Sequence, residues 1–232
     1  MATGAFPFDF SAPEHLIPLL GLIASFYPTV SHRMSKRFWL GFAIRTVIGT
    51  AVAAAFIHQL QTVPIFGKTL RCIAFGVSFA VVWSILEALS EVQHPSFFSV
   101  NLLICATFTS AAVFVAHTAV VSQMVAVFAS VCAASLGFHL LVRDAKFSGG
   151  MVAVSTVLIF GFIINGLFYA DLPALSAFLL LFSPTAGWVQ TLPPLRKASP
   201  FVRNALTSIA IFLVAAFGLG ISILQLGLPS AY

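Results

Sequence analysis

Charged side chains are scarce in this sequence, and acidic ones are scarcest. Only 7% of the 232 residues are charged, with eleven Lys and Arg against six Asp and Glu. A water-soluble domain carries about 25% charged residues, because its surface has to be solvated. The shortage excludes a soluble globule of this length. A surface that faces lipid explains both the missing charge and the 60% hydrophobic content.

The net charge of +5 reflects the shortage of acids rather than a surplus of bases. The bases lie in short separate segments and do not form the stripe or patch that nucleic-acid-binding proteins use. We therefore expect no nucleic-acid partner. The lipid bilayer is the expected surrounding of most of the chain.

Cysteine is also rare. Cys72, Cys105 and Cys132 each lie inside an apolar run, and no CxxC or other metal-type spacing exists among them. An odd number of cysteines does not suit a disulfide framework. We interpret these residues as small buried apolar side chains and predict no metal site.

Catalytic motifs are missing as well. The sequence has no GxSxG, HExxH or Walker A motif, and no pair of membrane-buried acids suggests an aspartyl protease. We therefore predict that the chain is not an enzyme. The N-terminal stretch MATGAFPFDFSAPEH lacks a basic segment followed by an apolar one, so we do not expect a cleaved signal peptide.

Apolar stretches of about 20 residues, the length that crosses a bilayer, recur along the whole sequence. They predict transmembrane helices over His15–Val30, Phe38–His58, Thr69–Ser90, Ser96–His117, Ala119–Val142, Gly149–Ala170, Leu172–Thr191 and Phe201–Leu226. The predicted fold class is therefore all-α, a polytopic membrane helix bundle of about eight spans, or seven if the short first span does not cross. Because the loops are short, residues 1–232 are expected to form one transmembrane domain without a soluble domain.

Basic residues concentrate in the loops on one side of the predicted bundle. Loops on that side hold Arg33, Lys36, Arg37, Arg143, Lys146, Arg196, Lys197 and Arg203, whereas the other side holds Lys68 and Arg71. The positive-inside rule then places the first group in the cytoplasm and both chain termini outside. With no targeting sequence visible, we expect a multi-pass protein of the bacterial cytoplasmic membrane.

Four polar residues are predicted to lie at a similar depth near the cytoplasmic ends of their helices: Arg45, Glu87, Asn101 and His139. A charge in the bilayer is costly, so it normally faces the bundle interior and finds a partner there. We predict that these four residues form a substrate- or ion-binding cluster. A purely structural alternative has Arg45 paired with Glu87 to hold two helices in register, or has Arg45 extended to the lipid headgroups.

A second group of polar residues is predicted toward the outer side: His58, His117, Gln123 and Asn165. We predict a secondary polar cluster from these residues. Because they are neutral, ordinary hydrogen bonding between helices is an equally physical explanation.

The six histidines divide evenly between the two predicted sides of the membrane. Facing histidines at both sides hold the haem groups of b-type cytochrome bundles, so a haem b or quinone-linked redox subunit is one alternative. However, no two histidines share a helix at ligand spacing, and several lie in loops or at helix ends. We therefore predict no cofactor.

Small residues four positions apart allow helices to approach closely. The pairs are Gly49 with Ala53, Ala106 with Ser110, Ala133 with Gly137, and Ala216 with Gly220. They indicate tight packing within the bundle. An interface with further copies of the chain, or with other membrane subunits, is the alternative.

Two predicted spans contain residues that interrupt helices. Pro18 and Pro28 lie in the first span, and the segment Pro184–Gly187 lies in the seventh. Broken helices line the substrate sites of many transporters, because exposed backbone is tolerated in a membrane only around a cavity. Together with Arg45 and Glu87, this favours a small-solute or ion transporter or channel. The main alternative is a non-catalytic subunit or scaffold of a larger membrane complex, which short loops and few buried charges also suit.

Overall fold

Helix accounts for nearly all of the structure. The computed structural model describes residues 21–22, 24–25, 38–57, 64–116, 118–142 and 149–227. Of these described residues, 92% are helical and none lies in a strand. The predicted all-α fold class is confirmed.

From residue 38 onward, the described ranges contain eight α-helices and one 3-10 helix. The first five are α1 (Phe38–Ile57), α2 (Ile65–Val92), α3 (Pro95–Val115), α4 (Ala119–Leu141) and α5 (Gly149–Tyr169). Helix α6 (Ala174–Phe182) continues directly into the 3-10 helix Ser183–Thr191. The single turn α7 (Pro193–Arg196) and the long α8 (Pro200–Leu226) complete the bundle.

Within the described ranges, six helices are long and apolar enough to cross a membrane, namely α1 to α5 and α8. They correspond to the second through sixth predicted spans and to the eighth. The first predicted span, His15–Val30, lies mostly outside the described residues. The seventh, Leu172–Thr191, is present as two short helical pieces. The predicted count of eight transmembrane helices is therefore not confirmed.

The interruption predicted at Pro184–Gly187 is confirmed by the change from α-helix to 3-10 helix at Ser183. Proline has no amide hydrogen, so Pro184 cannot donate to the carbonyl of Leu180. That carbonyl accepts from the hydroxyl of Ser183 instead, at 2.9 Å. The hydroxyl of Thr185 likewise donates to the carbonyl of Phe182, at 2.6 Å. The backbone amide of Ser183 also donates to the carbonyl of Leu180, so backbone and hydroxyl groups together satisfy the carbonyls at the end of α6.

Helices that are neighbours in sequence pack side by side because their connections are short. Helix α1 packs along α2, and α3 packs along α4. Helix α8 packs against α3 and against the segment formed by α6 and the 3-10 helix. Helix α5 contacts both groups and is the most buried of the membrane-length helices. It contributes Phe160 to an aromatic core with Phe79 and Trp83.

Glycine allows α1 and α2 to approach closely. A Cβ atom on Gly76 would lie 2.1 Å from the hydroxyl oxygen of Thr50 and 2.8 Å from the carbonyl oxygen of Thr46. A Cβ atom on Gly49 would lie 2.6 Å from the Cβ of Phe79. The predicted packing role of the Gly49 and Ala53 pair is confirmed, since Ala53 is also buried.

The other small-residue pairs behave in two ways. Ser110 donates to the carbonyl of Ser122 on α4 at 2.9 Å, so the pair on α3 packs within the bundle as predicted. By contrast, an added Cβ on Gly137 or Gly220 would meet no described atom within 4 Å. Internal packing of the pairs on α4 and α8 therefore stays a prediction, since no described atom lies against either glycine.

The outward faces of the bundle are apolar. In the most apolar 18-residue stretch of α4 and of α8, only 22% of the residues are buried. Side chains such as Leu141, Phe217 and Leu224 are exposed. Exposed apolar side chains on six membrane-length helices indicate a membrane location. We call the end at which α2 ends and α3 and α8 begin the basic end, since Arg196, Lys197 and Arg203 lie there.

Candidate functional site

Arg45 on α1 and Glu87 on α2 form an ion pair near the basic end. The Nη1 group of Arg45 also donates to the hydroxyl of Ser84 at 2.7 Å, and its guanidinium lies 5.9 Å from the ring centroid of Trp83. The side chain of Arg45 is 11% exposed and that of Glu87 is 31% exposed. The charge of Arg45 is thus compensated on α2, as expected for an arginine at membrane depth.

Asn101 and His139 lie in other helix interfaces. The Asn101 amide donates to the side-chain oxygen of Gln93 at 2.8 Å, across the turn between α2 and α3. His139 is buried near the end of α4, with its ring against that of Phe138. Helix α1 packs on α2 and α5, whereas α3 and α4 pack on each other. The structure therefore joins Arg45 to Glu87 and distributes the other two residues of the predicted cluster elsewhere at the basic end.

The residues of the second predicted cluster do not form one group in the described part of the chain. His58 and His117 lie outside the described residues. Gln123 is exposed on α4, whereas Asn165 is buried on α5. A binding role for this set stays a prediction.

The haem alternative falls largely on histidines outside the described residues, namely His15, His32, His58 and His117. The remaining two are His139 and His94, and the ring of His94 accepts from the backbone amide of Ser96 at 3.3 Å as the cap of α3. Within the described ranges, no three His, Cys, Asp or Glu side chains come together as a metal site would need.

A row of buried polar side chains follows the interrupted segment at seven-residue intervals: Ser176, Ser183 and Gln190. The hydroxyl of Ser176 lies 2.6 Å from that of Ser222 on α8. The hydroxyl of Ser183 lies 3.4 Å from the sulfur of Cys105 on α3. We call these five residues the polar seam.

The polar seam extends through much of the bundle. Along the interrupted segment, the seven residues that begin at Ser176 are α-helical and the next seven lie in the 3-10 helix. Rises of about 1.5 and 2.0 Å per residue therefore place Gln190 roughly 25 Å from Ser176. The hydrocarbon core of a bilayer is about 30 Å thick. The seam therefore carries polar groups across most of the depth of a membrane, in a region enclosed by α3, α8 and the interrupted segment.

A cavity of about 210 Å³ opens beside Gln190 at the basic end of the polar seam. Its walls come from the last turns of α2, from the 3-10 helix, from α7 and from the first turn of α8. The lining residues are Ala88, Leu89, Val92, Trp188, Gln190, Thr191, Arg196 and Arg203. Gly187 brings the 3-10 helix against α2, since a Cβ atom there would lie 2.6 Å from a methyl carbon of Leu89.

Several buried polar atoms near the basic end have no hydrogen-bond partner among the described residues, and two of their residues, Gln190 and Arg203, line the cavity. They are Nε2 of Gln93, Oδ1 of Asn101, Oε1 of Gln190, Nε of Arg203 and Oδ1 of Asn204. A buried polar group without a partner costs about 1–3 kcal/mol, so the two unpartnered groups in the cavity wall, on Gln190 and Arg203, favour a ligand or water there.

Helix α2 separates the cavity from the ion pair. Ser84 and Glu87 face α1 and bind Arg45, whereas Ala88 and Leu89 line the cavity. The sequence did not predict the cavity, because Gln190, Arg196 and Arg203 belong to three separate segments whose packing against one another the sequence does not show. The spacing of Ser176, Ser183 and Gln190 within one apolar span was the signal that could have revealed it.

Comparison with protein families, with curated proteins and with solved structures found no significant match for this chain.

Proposed function

We propose that this chain is a membrane transporter or channel for a small solute or ion, and that its path follows the polar seam. The proposal rests on one observation above all, the interrupted helix in the middle of the bundle whose buried polar side chains lead to a cavity at the basic end. In a bilayer, irregular backbone and polar side chains persist where they are buried within protein or line a cavity or a path, and here they lead to a cavity. No catalytic role is part of the proposal.

The ion pair supports the wall of the proposed path. Arg45 fixes α1 to the same turns of α2 that carry Ala88 and Leu89. A shift of α2 would therefore change both the ion pair and the width of the cavity. We propose this positioning role for Arg45 and Glu87, while Asn101 contributes through Gln93 at the start of α3.

Reconstitution into liposomes tests the proposal. Protein-containing and protein-free vesicles are each mixed rapidly with a hyperosmotic solution of potassium chloride, potassium phosphate, urea or glycerol. Stopped-flow light scattering follows the recovery of vesicle volume as the solute enters. At least one solute is expected to enter the protein-containing vesicles several times faster. Equal rates for all four solutes in both vesicle types would remove the proposal for these solute classes.

A role as a membrane subunit is the second candidate, and it is favoured by the outward faces of α4 and α8. Ala133 and Gly137 form a small-residue pair on one face, as Ala216 and Gly220 do on the other, and no described atom covers either glycine. Such pairs are typical of contacts between helices in membranes. Native mass spectrometry of the chain extracted in mild detergent distinguishes the two candidates. Other bound polypeptides favour the subunit role, whereas a bare monomer or a homo-oligomer counts against it.

The proposed location is the bacterial cytoplasmic membrane, with the basic end toward the cytoplasm. The positive-inside rule supports this orientation, because Arg196, Lys197 and Arg203 all lie at that end. Trp39 and Trp188 agree with it, since both are exposed near the basic end, where interfacial tryptophans lie at headgroup depth.

A further inference from the structure

The cavity at the basic end has a strongly one-sided charge. Arg196 and Arg203 both line it, and none of its lining residues is acidic. Three acidic residues are described: Glu87 pairs with Arg45, Asp171 follows α5 at the opposite end, and Glu91 is exposed on the last turn of α2, next to Val92 of the cavity wall but not itself lining the cavity. The cavity therefore presents positive charge that no carboxylate in its walls balances.

Two polar groups that belong to residues of the cavity wall are buried and lack a hydrogen-bond partner among the described residues. Gln190 is only 6% exposed, and its Oε1 atom has no partner among the described residues. The Nε group of Arg203 is also buried and lacks a partner within the described part of the chain. The amide of Gln190 can present either its oxygen or its nitrogen to a ligand, because the two exchange on a half turn.

The position of Arg203 adds to the attraction for an anion. It lies in the first turn of the 27-residue helix α8, whose start is capped by the hydroxyl of Ser199 at 3.4 Å from the amide of Val202. The backbone dipoles of a long helix create a partial positive charge at its N-terminus. That charge and the guanidinium of Arg203 therefore act on the same region.

We propose that this cavity binds a phosphate group, with Arg203 and Arg196 as its cationic ligands and Gln190 as a hydrogen-bonding partner. Arginine suits this group because its planar guanidinium can donate two parallel hydrogen bonds to phosphate oxygens. The volume of about 210 Å³ is below the range of about 300–1,000 Å³ that holds drug-sized ligands. A free phosphate ion or the phosphate of a lipid headgroup therefore fits the site, whereas a complete nucleotide cofactor does not.

This inference deepens the proposed function by naming the chemistry of the ligand at the end of the polar seam. It is tested by binding to the purified chain in detergent, where no flux occurs. Saturable binding without flux in liposomes would leave the phosphate site standing and remove the transporter proposal. Flux in liposomes without phosphate binding in detergent would leave the transporter proposal standing and remove the phosphate site.

The test uses two probes, each with a matched control. The first is inorganic phosphate, compared with chloride at constant ionic strength. The second is dioleoyl phosphatidic acid in mixed micelles, compared with dioleoylglycerol, which has the same acyl chains but no phosphate. Binding is followed by the apparent Tm, which rises when a ligand binds only the folded state. The fluorescence of Trp188, which lines the cavity, gives a second readout.

Three variants locate the site. Arg203→Gln and Arg196→Gln are expected to weaken binding at least tenfold, whereas Lys197→Gln is expected to change it less than twofold. Lys197 makes a matched control because it lies next to Arg196 and is exposed but does not line the cavity. If Arg203→Gln does not fold, Arg203→Lys replaces it as the test variant, because it keeps the charge and removes only the planar guanidinium. Arg196→Gln is expected to fold in either case, because Arg196 is exposed.

Each outcome decides the proposal. Saturable binding of inorganic phosphate supports a site for a free anion. Binding of phosphatidic acid alone supports a site for a lipid headgroup. The proposal is overturned if neither probe binds, or if Lys197→Gln weakens binding as much as Arg203→Gln does, since the effect would then be general surface charge.

Discussion

Arg45 and Glu87 lie 42 positions apart in the chain and meet as an ion pair between α1 and α2. The contact sets these two helices in antiparallel register, with Ser84 taking a second hydrogen bond from the same guanidinium at 2.7 Å. The residues Ala88, Leu89 and Val92 of α2 also form one wall of the cavity, which is the basis of the positioning role proposed for the pair.

Breaking this pair is expected to destabilise the fold. Arg45→Ala or Glu87→Ala should lower the free energy of unfolding by about 2 kcal/mol, between the ~0–1 kcal/mol of exposed pairs and the ~3–5 kcal/mol of fully buried ones. For a chain of this size, that is a fall in apparent Tm of about 4–8 °C. Differential scanning fluorimetry in detergent measures it.

The exposed residues Arg71 and Glu91 supply the controls for this pair. Arg71→Ala and Glu91→Ala remove the same charges and should shift the apparent Tm by less than 2 °C, in keeping with the ~0.5 kcal/mol typical of surface substitutions. The exchanged pair Arg45→Glu with Glu87→Arg should recover part of the loss. If the exchanged pair is as unstable as the sum of both single variants, the ion pair does not hold α1 and α2 together.

Glycine at position 76 is expected to be irreplaceable even by alanine. A Cβ atom there would meet backbone atoms of α1, with the carbonyl oxygen of Thr46 at 2.8 Å and the amide nitrogen of Thr50 at 2.9 Å. Gly76→Ala should therefore push α1 away from α2 and cost about 1–3 kcal/mol or more, as overpacking does. The apparent Tm and the yield of folded protein report the change.

Gly220→Ala is the matched control, because no described atom lies within 4 Å of its added methyl group. Alanine also has the higher helix propensity, by about 1 kcal/mol. Its apparent Tm should therefore equal or exceed that of the unmodified chain. Equal stability of the Gly76→Ala and Gly220→Ala variants would contradict the close approach of α1 and α2.

The orientation of the bundle can be measured by cysteine labelling of intact cells. Lys197→Cys at the basic end should react with a membrane-impermeant maleimide only after the cells are opened. Ile65→Cys, exposed at the start of α2 at the opposite end, should react in intact cells. The three native cysteines are buried and give a low background. Labelling of Lys197→Cys in intact cells would show that the basic end faces outward, contrary to the proposed orientation.

Much of the fold could be predicted from sequence because a bilayer imposes a length on each apolar run. Six predicted spans correspond to membrane-length helices, and the break before Pro184 follows from the missing amide of proline. The packing of α1 against α2 could also be predicted, because the connection between these two helices is short. Arg45 and Glu87 therefore met as expected.

The arrangement of more distant helices could not be predicted, because helices that face lipid are apolar on every side. In water, periodicity marks the face that is buried, but lipid removes that contrast. For this reason the sequence did not indicate that no described atom packs against Gly137, or that Asn101 lies apart from Arg45. Gln190 and Arg203 belong to one cavity only because the 3-10 helix packs against both α8 and α2.

Solute flux through the polar seam is the central claim, and one comparison tests it most directly. Proteoliposomes with Ser183→Ala, Gln190→Leu or Ser130→Ala are measured beside the unmodified chain, with the solute that the chain moves fastest. Ser130→Ala is the control, because Ser130 is exposed on α4 and bonds only its own helix in the described structure. The two seam variants should retain the apparent Tm within a few degrees and lose at least two thirds of the flux, while Ser130→Ala keeps it. Full flux in both folded seam variants would show that the solute does not pass along Ser183 and Gln190.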